Sequence, residues 1–198
     1  MSELGQRSLC LESRAMESRS ICVFAGARVP IEPLFIEAAR ALGAAFATRG
    51  ITLVYGGSAS GMMGALADAA LAHGGRVLGV IPDSMVEREW AHCGLTELHV
   101  VRDMHARKAK MNELSDAFVV LPGGIGTLEE LFEMYTWAQL GFHNKPIALL
   151  DIASFYAPLL AMLDRMVEQR FLDSSARAAL VSANSVDVLL SWLDSPVR

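Results

Sequence analysis

The stretch Leu121-Pro122-Gly123-Gly124-Ile125-Gly126-Thr127-Leu128-Glu129-Glu130 joins an apolar run to an amphipathic one through a cluster of glycines. Ahead of it, Asp116 to Leu121 has the length and composition of a buried parallel strand. Behind it, from Thr127 onward, Leu128, Leu131, Phe132 and Tyr135 recur at helical spacing. The glycines therefore occupy a strand-to-helix turn. Such a turn points unpaired backbone N–H groups and the positive end of the helix dipole at one spot, and glycine admits an anion without a Cβ in the way. A phosphate-bearing ligand suits that geometry, although glycines at such a junction also serve a plain tight turn.

Glu129 and Glu130 bear on the choice. The spacing places both in the first turn of the helix, where acids favour the dipole but repel an anion held beside them. An acid there is either a turned-away cap or a catalytic group near a sugar. Adjacent helical positions point about 100° apart, so only one of the two can face the pocket well.

Outward from this turn, strand-like runs cover Ile21 to Ala25, Thr52 to Tyr55, Val77 to Ile81, Leu98 to Val101 and Ile147 to Asp151. Helical spacing covers Ile31 to Arg49, Ser60 to His73, His105 to Leu114, Leu128 to Leu140 and Ser154 to Arg170. Alternating βα units with unalternating apolar strands predict an α/β fold, a Rossmann-like doubly wound parallel sheet flanked by helices in a single domain. Ligands then bind at the carboxyl ends of the strands. Residues after Leu172 are expected to form a short appended segment ending in a helix from Ser185 to Leu193. Residues 1–19 carry scattered charges and no apolar core of a signal peptide, which predicts a flexible tail ahead of a domain over 20–198.

A chain of 198 residues is one domain by length, and 53% hydrophobic residues is high for a protein in water, so a partner subunit is expected to cover apolar surface. Every apolar run is broken well short of a bilayer span, which predicts a soluble protein with no membrane partner. Cys10, Cys22 and Cys93 are odd in number and lack metal-ligand spacing, pointing to reduced thiols and a cytoplasmic location. The net charge of −5, with no basic tract, disfavours a nucleic-acid polymer as partner. The five histidines form no i, i+4 pair, so no metal site is expected.

Neither glycine cluster meets the dinucleotide fingerprint. Gly56-Gly57-Ser58-Ala59-Ser60-Gly61 has Ser58 at the middle glycine, and Gly124-Ile125-Gly126-Thr127-Leu128-Glu129 ends in a carboxylate. No GxxxxGK[ST] loop is present, and nothing in the sequence demands a cofactor. Pyridoxal phosphate would need a lysine for its Schiff base, and Lys108, Lys110 and Lys145 stand without a visible partner set for the pyridine ring.

Pro122-Gly123-Gly124-Ile125-Gly126-Thr127-Leu128-Glu129-Glu130 matches the PGGxGTxxE signature of the Lonely Guy family, whose members are often labelled lysine decarboxylases. Further blocks resemble that family in order: Leu53-Val54-Tyr55-Gly56-Gly57, Gly61-Met62-Met63-Gly64, Met104-His105-Ala106-Arg107-Lys108, Thr136-Trp137-Ala138-Gln139-Leu140-Gly141 and His143-Asn144-Lys145-Pro146. The resemblance covers residues 20 to 172 or so. It implies a phosphoribohydrolase that cleaves the N-glycosidic bond of cytokinin riboside 5′-monophosphates, commonly with activity on AMP, releasing free base and ribose 5-phosphate.

Such cleavage passes through an oxocarbenium-like sugar while negative charge builds on the departing base. A carboxylate near C1′ answers the first and a guanidinium suits the base or the phosphate. The resemblance assigns these catalytic roles to Glu130 and Arg107. For Arg107 the alternative is a solvated charge on a basic helix face with Arg102, Lys108 and Lys110. The resemblance also implies substrate contacts from Gly123, Gly124, Gly126, Thr127 and Glu129 within the signature, and from Ser58, Glu89, Met104, Lys108 and Thr136. Thr127 reads equally as a helix N-cap, Lys108 as a surface ion-pair partner, and Met104 as core.

Two departures from the family pattern stand out. Many members read Val-Phe-Cys-Gly-Ser after the first strand, where this chain has Val23-Phe24-Ala25-Gly26-Ala27-Arg28. A usual third glycine is Ser58, a change that a turn needing positive φ would resist. Both are expected to touch specificity more than catalysis. The main competing function is a nucleotide-binding or carrier protein of the same fold that turns nothing over. A homodimer is expected because Leu131, Phe132, Met134, Tyr135, Trp137, Ala138 and Leu140 make one helix apolar on more than one face.

Overall fold

The computed structural model describes residues 19–86 and 91–194. The tail expected over 1–19 lies outside them except for Arg19, whose carbonyl accepts the Thr52 N–H at 2.9 Å. Seven parallel strands form one sheet: β1 (Ser20–Phe24), β2 (Thr52–Tyr55), β3 (Val77–Pro82), β4 (Glu97–Val101), β5 (Ala117–Val120), β6 (Ile147–Leu150) and β7 (Leu180–Ala183), in the order β4-β3-β2-β1-β5-β6-β7. The fold is the expected α/β Rossmann-like one.

Apart from Ser20 and Thr52 at their starts, the central strands are built of apolar and aromatic residues because both faces are covered. Ile21 and Val23 of β1 point to one face, where Leu42 and Phe46 of α1 (Pro33–Thr48), Leu66 of α2 (Gly61–Ala72) and Leu189 of a C-terminal helix pack on them. Cys22 and Phe24 point to the other, against Met111 of α4 (Met104–Glu113), Leu131 and Met134 of α5 (Ile125–Gln139) and Leu163 of α6 (Ala157–Glu168). Each large side chain so buried stabilises the sandwich by roughly 1.5–3 kcal/mol. The remaining α-helices among the described residues are the short α3 (Asp83–Val86), α7 (Ser174–Ala179) and α8 (Val186–Leu193), the last capped by the Ser185 hydroxyl on the Val188 N–H.

The strand order reverses beside β1. Leaving β1, the chain enters α1 on one face; leaving the neighbouring β5, it enters α5 on the other. The two outgoing loops must separate, and a crevice opens between them at the carboxyl edge. They part only after the Leu121 N–H donates to Phe24 O at 2.9 Å and the Gly26 N–H donates to Pro122 O at 3.2 Å.

Three local expectations are corrected. The segment after Leu172 adds a seventh strand to the sheet as well as the terminal helix. Helix α5 starts at Ile125 with Gly124 as N-cap, so Thr127 is its third residue instead of the cap, and Glu129 and Glu130 fall in the second turn. In the loop after β2 the left-handed residues are Gly57 (φ +75°) and Gly61 (φ +59°), so Ser58 meets no backbone strain.

Candidate active site

The crevice is a cavity of about 720 Å3, walled by the loop after β1, the loop after β2, the start of α4 and the glycine turn. That size lies within the roughly 300–1,000 Å3 of small-molecule sites. A wider groove of about 1520 Å3 lies at the amino edge of the sheet, with Arg19, Lys145, Arg170 and Asp173 on its wall and, among the described residues, no ion pair joining them. In the smaller cavity an arginine and a glutamate meet.

Arg107 reaches that point because Asp103 caps α4. Its Oδ1 accepts the Ala106 N–H at 2.7 Å, starting the helix where β4 ends and placing Arg107 one turn inside. The Arg107 guanidinium then bridges three elements. Nε donates to Val80 O of β3 at 3.0 Å, Nη2 donates to Gly56 O after β2 at 3.2 Å, and Nη1 lies 3.1 Å from Glu130 Oε1 on α5. A Cβ on Gly56 would overlap Nη2, so only glycine lets the guanidinium lie against that backbone. Nη1 also makes a weak 3.8 Å contact to Met104 Sδ, which leaves one guanidinium N–H unassigned on a residue that lines the cavity.

Glu130 is buried at 7% exposure and lines the cavity. Burial, opposed by the Arg107 charge and reinforced by the nearby Glu129 carboxylate, pushes its carboxyl up to about 7. A carboxylate balanced between its two states near neutral pH is suited to proton transfer and to meeting developing positive charge.

The glycine turn forms the facing wall. Gly124 and Gly126 have open space where a Cβ would stand. The first N–H groups of α5 lack helical acceptors by their position and gather at this end of the cavity. Gly123 has a different reason to be glycine: a Cβ there would overlap Thr127 Oγ1, which the turn folds back upon it. The Tyr156 hydroxyl, buried behind the turn, donates to Leu121 O at 2.6 Å and fixes its base.

The structure thus brings Ser58, Met104, Arg107, Gly123, Gly124, Gly126, Thr127 and Glu130 around one cavity. It does not bring Lys108, Glu129 or Thr136 there. Lys108, 3% exposed, forms ion pairs with Glu129 and, at 2.7 Å, with Glu133. Burial works against its charge, but those two acids outweigh it and hold the ammonium above its ordinary pKa. Thr136 is exposed on α5, away from the cavity. Glu89 lies outside the described residues. Unforeseen wall residues are Met62, Met63, Met85, Ile81 and Phe155, an apolar lining for a flat ring. The sequence blocks contained Met62 and Met63 but no period or spacing marked them as wall.

No lysine borders the cavity among the described residues. Lys108 is held by two acids, Lys110 lies 2.8 Å from Glu113, and Lys145 donates to Asn112 O beside the other groove. A Schiff-base lysine at this site is therefore lacking.

Residues 63–193 match a family model described as possible lysine decarboxylase. The cytokinin riboside 5′-monophosphate phosphoribohydrolase of Rhodococcoides fascians is 45% identical over 90% of this chain and 90% of its own. A protein of the same name from Arabidopsis thaliana is 44% identical over 90% of this chain and 84% of its own. Among solved structures, the molybdenum cofactor binding protein of Rippkaea orientalis superposes with a TM-score of 0.67 at 20% identity, covering 93% of this chain and 100% of that one. The molybdenum cofactor carrier protein of Chlamydomonas reinhardtii also gives 0.67 at 20% identity, covering 89% and 96%. At such identities these structures share the fold alone.

Proposed function

The chain belongs to the Lonely Guy family, the one whose model is described as possible lysine decarboxylase, and on that premise we propose that it is a nucleotide phosphoribohydrolase. Water adds to C1′ of a purine nucleoside 5′-monophosphate, the C1′–N9 bond breaks, and the products are free base and ribose 5-phosphate. The substrates are cytokinin riboside 5′-monophosphates, AMP, or both. The observation that carries this reading is the buried Arg107–Glu130 pair beside an anion-receptive glycine turn.

Glu130, ionised, stabilises the oxocarbenium-like sugar and orients the water, accepting its proton as the bond to carbon forms. Arg107 holds that carboxylate in place and offers its one remaining N–H to the negative charge on the departing base. That charge is neutralised by the proton that Glu130 took from water, which leaves Glu130 ionised again. The amides at the start of α5 and the Thr127 hydroxyl receive the phosphate. A carrier would gain nothing from an acid placed beside an anionic ligand. A decarboxylase would need the lysine that the cavity wall lacks.

The protein works as a homodimer in the cytoplasm. Phe132, Thr136 and Leu140 recur at four-residue spacing on the exposed side of α5, with Phe142 exposed just beyond, and a second copy presenting the same stripe would cover them. The unpaired thiols of Cys22 and Cys93 suit a reducing compartment. Among the described residues no helix is long and apolar enough to cross a membrane. Chromatography of products from AMP and from its N6-isopentenyl analogue tests the reading: free base and ribose 5-phosphate in equal amounts support it, and no free base from either rejects it.

A further inference from the structure

Among the described residues the cavity wall carries three charged side chains, and only two of them answer each other. Arg107 and Glu130 form the ion pair, and their charges offset. The third is Arg28, on the loop after β1, exposed and without an ion pair among the described residues. Lys108, the other cation close by, is matched twice over by Glu129 and Glu133.

A phosphate monoester carries between one and two negative charges near neutral pH, and the end of a helix supplies the equivalent of only about half a positive charge. The α5 terminus alone leaves such a ligand undercompensated, and Glu130 repels it. The backbone ahead of Arg28 is fixed against both neighbouring elements: the Gly26 N–H donates to Pro122 O at 3.2 Å, and Gly26 O accepts from the Met62 N–H at 3.0 Å. Arg28 therefore sits on a loop tied directly to the glycine turn and lines the same cavity as the start of α5.

We propose that Arg28 binds the 5′-phosphate opposite the amides of the glycine turn and so sets the preference of this protein for nucleoside monophosphates over phosphate-free nucleosides. The proposal rests on the phosphoribohydrolase reading for its substrate, while the geometry of Arg28 concerns the phosphate alone. A planar guanidinium presents two parallel donors to phosphate oxygens, which an ammonium does not.

The test compares wild type with Arg28→Ala and Arg28→Lys, using AMP and adenosine as substrates and calorimetry of ribose 5-phosphate, AMP and adenosine as ligands. Arg28→Ala is expected to lower kcat/KM for AMP by about tenfold to a hundredfold, the scale of one charge-assisted hydrogen-bonded contact, with the loss in KM. Ribose 5-phosphate and AMP should bind more weakly by a similar factor, adenosine should be unaffected, and the effect should shrink at high salt. Arg28→Lys should recover part of the loss. Equal losses for AMP and adenosine, or no loss for either, overturn the proposal while leaving the hydrolase reading intact. If wild type cleaves neither substrate, the hydrolase reading falls, and calorimetry alone decides: equal affinity of wild type and Arg28→Ala for AMP, or no AMP binding by wild type, overturns the role of Arg28.

Discussion

Arg107 Nη1 stands 3.1 Å from Glu130 Oε1, with both side chains exposed by less than a tenth. The two residues come from helices on one face of the sheet and meet at its carboxyl edge, and the proposed chemistry rests on that meeting. The guanidinium is also bonded to carbonyls of the loop after β2 and of β3, so the pair is held from three elements at once.

Gly56→Ala tests how strictly that placement matters. The added Cβ would overlap Arg107 Nη2, and the guanidinium must shift away from Gly56 O. Turnover is expected to fall about a hundredfold, the order of loss that follows a small misplacement of a reacting group, while the circular dichroism spectrum stays that of wild type. Unchanged kinetics would mean that the guanidinium needs no fixed seat.

The carboxyl of Glu130 sets the pH dependence. Its pKa, pushed up to about 7, leaves it protonated and unable to stabilise a cation on the acid side, so kcat/KM should fall as pH drops through about 7. Stability runs the opposite way. The folded state holds this proton more tightly than the unfolded chain, whose value is near 4.5, so the contribution is fully present below 4.5 and is lost as pH rises through about 7. The loss is on the order of 3 kcal/mol. Thermal melts should show Glu130→Gln gaining on wild type as pH rises across that window; a constant gap between the two would contradict the raised pKa.

Much of this was legible before the structure. The alternation of strand and helix gave the sheet, because each central strand is buried on both faces and reads as an unbroken apolar run. Strand β7 leaves no sequence signal: Leu180-Val181-Ser182-Ala183 is only four residues long, and α7 before it has six, too few to show a period. The start of α5 is obscured because Ile125-Gly126 looks like turn, glycine being a poor helix former, although its first residues need no helical N–H bond. Resemblance picked out Glu130 and Arg107; no local pattern links residues on two different helices. The partnership of Lys108 with Glu129 and Glu133 was hidden for the same reason.

With both acids on it, Lys108 is expected to serve the fold. Lys108→Met is expected to destabilise the protein by about 3 kcal/mol, the low end for a broken buried pair because the Glu129 side chain is half exposed. Urea titration measures it. A large rise in KM for AMP with unchanged stability would instead make Lys108 a substrate contact.

The exposed stripe on α5 bears on assembly. Sedimentation equilibrium should give wild type a mass of about 43 kDa, twice the 21.4 kDa of one chain. Phe132→Asp should bring a charge into the shared face and return the single-chain mass. Wild type at the single-chain mass at micromolar concentration would remove the homodimer.

The most direct test of the central claim is single-turnover cleavage of AMP by Glu130→Gln and Glu129→Gln, with AMP binding measured in parallel. Glu130 faces the cavity and Glu129 faces Lys108. Glu130→Gln should abolish cleavage yet keep nucleotide affinity within a few-fold, because the amide preserves shape but not charge. Glu129→Gln should cleave at close to the wild-type rate. A dead Glu129→Gln beside a fully active Glu130→Gln would contradict the account and place the chemistry on the other side of α5.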